Sequence, residues 1–545
     1  MLAAPTLLFA LLYLPYLTLG GTVQKPGLVV PPDSQKYADR VKTIFTDSYE
    51  AYKLYAFGHD DVAPIRKGFS DGRNGWGATI VDAMSTMHIM GLNDLFTEAV
   101  NFASEIDFSN SKTPDTVSVF ESTIRYVGGL LSAYELNDQK YPQLKTKAKE
   151  LADKLAFAWV GANDVPFGHI DFSTNTPQKA TSNIAEAGTL TLEWATLSKH
   201  TGNDTYRQLA EKSVRHIAGG GAPLPGLPGQ GIDPASGLPV GGYVTWGGGS
   251  DSYFEYLIKY ARLNKTIDPI FADSWRTAVD SSIRTLLKRS IPGNNAYLAD
   301  FDDSGKIRHV SSHLACFHGG NWLFGGKLLD NQTIVDIGLQ LVDSCWNTYA
   351  STSTGIGPEQ FAFISDDGGY TGGNTASLSQ FNFNGQHGFY ITSPYYILRP
   401  EALESNFYAW RVTGDTKYLD RAALAITKFE KYLKVEETGG YAGLYDVDST
   451  NSRRVDDTES FWYAEVLKYL YLTFDEPSHI DLDEYVFNTE AHPFKIPTVT
   501  ADQKFGTGKM RQQGKPSKTV SGDLPQVSKS SKAAFMDLMS EIFSS

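Results

Sequence analysis

Two cysteines in 545 residues, Cys316 and Cys345, are too few for a disulfide-stapled scaffold and cannot form a C-x-x-C zinc or redox motif. The eleven histidines include no H-E-x-x-H pair, so zinc-protease chemistry lacks its ligands. Positive charge is in deficit: 48 Lys and Arg stand against 62 Asp and Glu, a formal charge of −14 at pH 7. No nucleic-acid partner is expected, because no basic footprint offsets phosphate repulsion. Beyond the N-terminus no stretch approaches the roughly 20 apolar residues of a membrane span. No run of oxygen ligands resembles an EF-hand, and no fixed period marks a solenoid. No serine-nucleophile elbow is expected either.

What is there begins with MLAAPTLLFALLYLPYLTLGG, an apolar run ending in small residues. Its length suits the core of a secretion signal better than a membrane span. Residues 1–21 are read as a cleaved signal peptide, with an uncleaved anchor facing the secretory lumen as the alternative. Either way the body is expected in the secretory pathway, secreted or lumenal (endoplasmic reticulum or Golgi). In that compartment the cysteine pair is expected to be oxidised, the alternative being two buried free thiols. Three sequons, at Asn203, Asn264 and Asn331, fit the same compartment as glycosylation sites. With 41% hydrophobic and 20% charged residues, most of the chain is expected to be globular. Its length allows one large domain or two to three ordinary ones.

Helical periodicity dominates, with candidate helices near 36–56, 76–99, 117–136, 145–158, 183–200, 204–218, 251–263, 270–290, 315–328, 333–349, 399–413, 416–434 and 457–474. Strand patterns are short and scarce. The fold class is therefore all-α. Several helices follow a Gly- or Pro-rich loop and open on a polar residue. A closed ring of helix pairs explains this better than a stacked array, and its loops would gather acidic residues around one axis. The Gly-rich stretch 219–243 reads as a long ordered loop with room for a short hairpin. From Phe494 the composition turns polar and basic, and residues 495–545 read as a disordered tail.

Four acidic positions interrupt this pattern. In SVFESTIRYVGGLLSAY, residues 118–134, Phe120, Ile124, Val127, Leu131 and Tyr134 form an apolar stripe, yet Glu121 borders it and Arg125 follows one turn on. Asp251 follows three glycines and a serine. Glu401 follows Arg399-Pro400, with Glu404 one turn later. Glu465 lies inside an apolar run. Helix capping accounts for Asp251 and, less well, for Glu401. It does not account for Glu121 or Glu465, because a buried carboxylate is costly unless it is paired or used. Gathered carboxylates suit glycosidic-bond cleavage, which needs an acid for the leaving oxygen and a second carboxylate for water or direct attack.

The segments DGRNGWGATIVDA, TVSVFESTIRYVGGLLSAYEL, SDSYFEYLIKY, HLACFHGG, GIGPE, YILRPEALESNFYAWRVTGD, DDTESFWYAEVLKYLYL and VFNTEAHP run in order from Asp71 to Pro493. Together they resemble the class I α-1,2-mannosidases of glycoside hydrolase family 47, most of all the secreted fungal members. The resemblance implies an (α/α)7 barrel with minor hairpins over 34–494. It also implies an inverting, exo-acting, calcium-dependent enzyme that trims terminal α-1,2-linked mannose from high-mannose N-glycans, as a monomer. Matched residue by residue, Glu121 is the acid, acting through water. Asp251 is the rival for that role, and Glu401 is the base. Arg125, His313, Arg399, Glu404, Phe461, Glu465 and Glu490 match substrate-pocket positions, with Phe461 under the bound mannose. Thr489 would hold Ca²⁺ through its carbonyl and hydroxyl, and Cys316 would pair with Cys345.

Two departures from the family pattern, Ser250 and Thr458, flank key residues without replacing them. Glycine at 249 stands where single-mannose trimmers carry arginine, which implies a wider cleft and broader trimming. The alternative function is a non-catalytic or weakly catalytic glycan-recognition factor in glycoprotein quality control. A glycosidase of another α/α toroid family is a third reading.

Overall fold

A computed structural model describes residues 21–264, 268–373, 375–498 and 503–525. The expected signal peptide, apart from Gly21, and the tail beyond Pro525 lie outside the described residues.

Helices come in two kinds, and composition sorts them. Helix α1 (Ser34–Ala56) is amphipathic, as is α3 (Asn93–Ser104). Between them α2 (Ala78–Ile89), ATIVDAMSTMHI, is apolar nearly all round, and every residue but His88 is buried. A helix without a polar face must sit inside other helices, whereas an amphipathic one covers them. The same alternation continues through α4 (119–136), α5 (Pro142–Leu155), α6 (Thr191–Thr201), α7 (Thr205–Gly219), α8 (Asp251–Leu263), α9 (Ile270–Thr285), α10 (Phe317–Leu328), α11 (Gln332–Ala350), α12 (Glu401–Thr413), α13 (Lys417–Tyr432) and α14 (462–474). In α5, PQLKTKAKELADKL, only the stripe Leu144, Ala148, Leu151, Ala152 and Leu155 is buried.

Packing closes the ring. Helices α2, α4, α6, α8, α10, α12 and α14 each contact their two neighbours in that series, and α14 returns to α2. The outer partners are α3, α5, α7, α9, α11, α13 and, across the chain ends, α1 against α14. Seven inner and seven outer helices among the described residues make an (α/α)7 barrel. Glycines permit the closest approaches: a Cβ at Gly325 of α10 would run into the Trp275 ring of α9.

The expected helix 76–99 is in fact two, α2 and α3. The chain turns at Gly91, which takes a left-handed φ of +67°. A helix at Leu378–His387 was not anticipated. The Gly-rich stretch does contain a hairpin, Gly231–Asp233 with Leu238–Val240, which joins Ser182–Asn183 in a three-stranded sheet. Cys316 and Cys345 form a disulfide that ties the turn before α10 to α11.

Residues 503–525 of the expected tail lie within the described residues and have almost no regular secondary structure. They lie along the body, with Phe505 buried and Thr507 hydrogen-bonded through its amide and hydroxyl to Asp273 on α9. Low apolar content hid this, because the segment is held by hydrogen bonds and not by a core of its own.

Candidate active site

Three inner helices start at the same mouth. Asp251 is the first residue of α8, Glu401 the first of α12, and Glu121 lies in the first turn of α4. All three line one cavity of about 840 Å³. Arg125, Arg399, Glu404, Phe461, Glu465, Thr489 and Glu490 line it too. Residues hundreds of positions apart thus meet because ring closure brings inner-helix starts and the 485–495 hairpin to one axis.

The backbone at these points is irregular. A π-turn occupies Ser122–Val127 inside α4, and a second occupies Trp462–Val466 at the start of α14. Such turns recur at functional sites, where the extra residue re-aims side chains. Here they follow Glu121 and Phe461 and carry Arg125 and Glu465. Leu398, next to Arg399, is held at φ +66°, a conformation that costs a non-glycine residue energy.

Glu121 and Arg125 are the i,i+4 pair that the sequence pointed to, at 2.7 Å, but the pair is not a solvated one. Arg125 is buried and reaches Glu490, Asp82 at 3.4 Å and Ser460 at 3.3 Å. Its guanidinium lies 5.8 Å from the Phe461 ring centre. Burial pulls the Glu121 carboxyl upward, but Arg125 and Arg73 outweigh it and hold the group below its ordinary range.

Asp251 has no such partner. Burial, then the charges of Glu255 and Glu401, push its pKa up to about 7, against the Ser252 amide and Arg399. Glu401 goes the other way. Its Oε2 accepts a 2.7 Å hydrogen bond from His313 Nδ1, and Arg399 Nη1 stands 3.7 Å from Oε1. These outweigh burial, so Glu401 stays ionised below the usual range. The site therefore holds a protonated carboxyl and an ionised one near neutral pH, the pairing that acid–base cleavage requires.

His313 does not line the cavity. It is buried behind Glu401, and its Nε2 accepts from the Tyr349 hydroxyl at 2.6 Å. Its two ring nitrogens are thus both engaged, one with the Glu401 carboxylate and one with Tyr349. Arg399 is likewise fixed from behind, by two hydrogen bonds of 2.7 and 3.0 Å to Glu359.

At the floor, burial first, then Glu255 and Glu401, raise Glu404 to about 8 against Lys259. Burial with Glu490, Glu401 and Glu404 pushes Glu465 well above the carboxylate range, and burial with Asp82 and Glu121 does the same to Glu490 against Arg125. Thr489 sits among them, half-buried, its amide 3.3 Å from the Tyr256 hydroxyl. Among the described residues no cluster of three or more His, Cys, Asp or Glu is arranged to hold a metal ion.

The sequence reading missed several lining residues. Arg73 lies within the quoted DGRNGWG segment. It is buried between Asp61 at 2.9 Å and Glu459 at 2.8 Å, with its Nε 3.7 Å from Glu121. Glu255 pairs with Lys259 at 2.5 Å, one turn after Asp251, and the edge-of-stripe argument used for Glu121 would have found it. Glu186, pushed to about 7 by burial, carried no pattern that marked it. Replacing Arg73 by Met should cost about 3–5 kcal/mol in chemical denaturation, because it strands Asp61 and Glu459 as unpaired buried carboxylates. A loss below about 1 kcal/mol would show that the two carboxyls are neutral without it.

Residues 68–72, GFSDG, do spell G-x-S-x-G, contrary to the expectation that no such elbow occurs. The structural context of an elbow is missing. Ser70 ends a hairpin strand, Gly68–Ser70, and its buried hydroxyl makes no hydrogen bond. The neighbouring His59–Asp71 pair, 2.9 Å apart, therefore does not activate it.

Asn203 is exposed at a turn. Asn264 is half-buried and its amide donates to Tyr260 at 2.8 Å, while Asn331 caps α11.

Comparison with known proteins agrees with the geometry. Residues 44–496 match the glycosyl hydrolase family 47 domain. The chain is 40% identical over 486 residues to the mannosyl-oligosaccharide alpha-1,2-mannosidase 1B of Emericella nidulans, covering 85% of this chain and 94% of that one. It is 39% identical over 521 residues to a probable enzyme of the same name from Aspergillus clavatus, covering 89% and 99%. The solved structure of the alpha-1,2-mannosidase from Trichoderma reesei superposes with a TM-score of 0.82 at 37% identity, covering 85% of this chain and 99% of that one. The chain belongs to glycosyl hydrolase family 47.

Proposed function

We propose that the protein is an inverting exo-α-1,2-mannosidase that removes terminal mannose from high-mannose N-glycans. The observation that carries the reading is that Asp251, without a salt-bridge partner, and Glu401, bonded to His313 and beside Arg399, line one cavity, a setting that shifts their pKa values in opposite directions. Glu401, held ionised by His313 and Arg399, takes a proton from the attacking water. Asp251, held protonated by burial, gives its proton to the leaving oxygen. Both electron movements leave mannose with a free hydroxyl at the anomeric carbon and the shortened glycan with its own hydroxyl restored. Glu121, ionised against Arg125 and Arg73, fixes the charge of the opposite wall. The Phe461 ring offers an apolar face for the sugar. Trimming of α-1,2 linkages is supported by the names of the fungal relatives above.

We infer that a calcium ion at the floor would be held by Thr489 and water rather than by a carboxylate cage. Thr489 offers a carbonyl and a hydroxyl oxygen, and Glu465 stands near enough to feel the charges of Glu490, Glu401 and Glu404. Surplus oxygen donors of this kind suit a hard divalent cation held largely by water. When bound, the ion would polarise sugar hydroxyls and favour an oxocarbenium-like ring. A chelator should therefore abolish mannose release and lower the melting temperature, with both restored by excess Ca²⁺. A chelated enzyme that is equally active and equally stable would exclude the Thr489 site.

The chain is further read as a secretory-pathway monomer, glycosylated at Asn203, Asn264 and Asn331. Among the described residues no helix is long and apolar enough to cross a membrane. Release of mannose from α-1,2-linked but not α-1,3- or α-1,6-linked disaccharides tests the assigned linkage. Equal release from all three would refute it.

A further inference from the structure

The tail segment 503–525 lies beyond the matched family domain, yet its Pro525 lines the active-site cavity. Its course is fixed by specific bonds. After Thr507 on Asp273, the Arg511 amide donates to Thr277 Oγ1 at 2.8 Å and its guanidinium to Ser274 at 2.6 Å. Gln513 Oε1 accepts from the Gly226 amide at 2.8 Å, and the Gly514 carbonyl accepts from Ala222 at 2.9 Å. The chain then runs beside the small sheet of residues 182–183, 231–233 and 238–240. Val520 donates to the Pro239 carbonyl at 2.9 Å, and Val240 and Val520 form a parallel bridge. Thr181 Oγ1 donates to the Asp523 carbonyl. Leu524 packs on Gly231, where a Cβ would meet its side chain at 2.5 Å.

That sheet belongs to the cavity wall. Gly231 pairs with Asn183, the Ala185 amide donates to the Gly249 carbonyl at 3.1 Å, and Asn183, Ala185 and Gly249 all line the cavity. Pro525 lines it with them. Gly249 stands two residues before Asp251. It presents no side chain to the mouth, and its φ of +88° disfavours acquiring one. Gly249, with the Gln230 side chain packed against it, thus borders a cavity to which the tail contributes a proline.

We infer that Pro525, anchored by Leu524 packed on Gly231, forms a wall of the outer sugar subsites, supplied in cis by the tail, and that this wall restricts which branches of a high-mannose glycan reach Asp251 and Glu401. The inference rests on the mannosidase reading above. Main-chain pairing along a sheet edge gives the strap its hold, as when an added peptide strand docks on an exposed edge. The terminal mannose at the floor does not meet this wall, whereas the mannose units beyond the cleaved bond do. A one-disaccharide substrate and a branched glycan should therefore respond differently to its removal.

The test compares kcat/KM for a nine-mannose N-glycan with that for α-1,2-mannobiose in four proteins: the full chain, a chain ending at Pro525, a chain ending at Thr498, and Pro525→Trp in the full chain. The chain ending at Pro525 should keep the full-chain ratio of branched to short substrate. The chain ending at Thr498 should raise that ratio at least threefold, and Pro525→Trp should lower it at least threefold. Since the long truncation also removes the buried Phe505, Leu524→Asp provides a milder release of the strap and should shift the ratio in the same direction as truncation. A ratio unchanged across all variants overturns the proposal. So does a truncation that slows both substrates alike while the melting temperature falls, since the strap would then be only a clamp. Absence of mannobiose cleavage by the full chain would instead refute the mannosidase reading itself.

Discussion

Glu401→Gln should lower kcat on an α-1,2-linked mannoside by about 10²–10⁴-fold, the range lost when a positioned base is removed. The melting temperature should stay close to that of the parent. Gln keeps the shape of the side chain and can accept the hydrogen bond from His313 Nδ1, and the Arg399 guanidinium keeps both bonds to Glu359. What disappears is the negative charge that takes the water proton. Steady-state kinetics beside a thermal melt checks both halves. Unchanged turnover would refute the assigned base. Loss of turnover together with a collapsed melt would mean that the substitution reports on folding and not on chemistry. A protein that only recognised glycans would need no ionised carboxylate there.

Asp251→Asn should cost a similar factor and should change the pH profile as well. In the parent, Asp251 must be protonated, so activity is lost as pH rises through about 7. Glu401 must be ionised, so activity is lost as pH falls through its depressed pKa. The kcat/KM profile should be bell-shaped with its plateau on the acid side of 7. The amide that replaces the carboxyl carries no proton to lose, so the residual activity should show no alkaline limb. A limb that persists in that variant and vanishes in Glu121→Gln would transfer the acid role to Glu121. The present geometry argues against that transfer, because Glu121 is paired with Arg125 at 2.7 Å and is held ionised.

How much of this could be read from the letters differs by level. The ring was legible from the Gly- and Pro-rich loops that open its helices and from the family resemblance, whereas the sorting of inner from outer helices by composition, α2 apolar nearly all round and α5 on one stripe only, was hidden while 76–99 read as a single helix. Glu121 and Glu465 were legible because each breaks an apolar pattern, and burial makes such a break expensive. Asp251 was harder, since an acid at a helix start is ordinary capping. What sets it apart in the structure is burial without a salt-bridge partner, with Arg399 too weak to offset it. The residues His313 and Arg399 were legible as members of the site, but the partners they and Arg73 take behind it were not. His313 reaches Glu401 across 88 positions and Arg73 reaches Glu459 across 386. No local spacing encodes contacts of that range. The contacts of the tail were not legible either. Its composition is that of a disordered segment, but Thr507, Arg511 and Gln513 find partners that the body already presents.

The most direct measurement of the account is the anomeric form of the sugar as it leaves, followed by proton NMR from the first minutes of incubation with a high-mannose N-glycan. If water activated by Glu401 attacks opposite the bond that Asp251 protonates, β-mannose appears first and the α form grows only as mutarotation proceeds. Release of α-mannose first would mean that a carboxylate attacks the sugar directly, and the assignment of Glu401 as a base acting on water would be wrong.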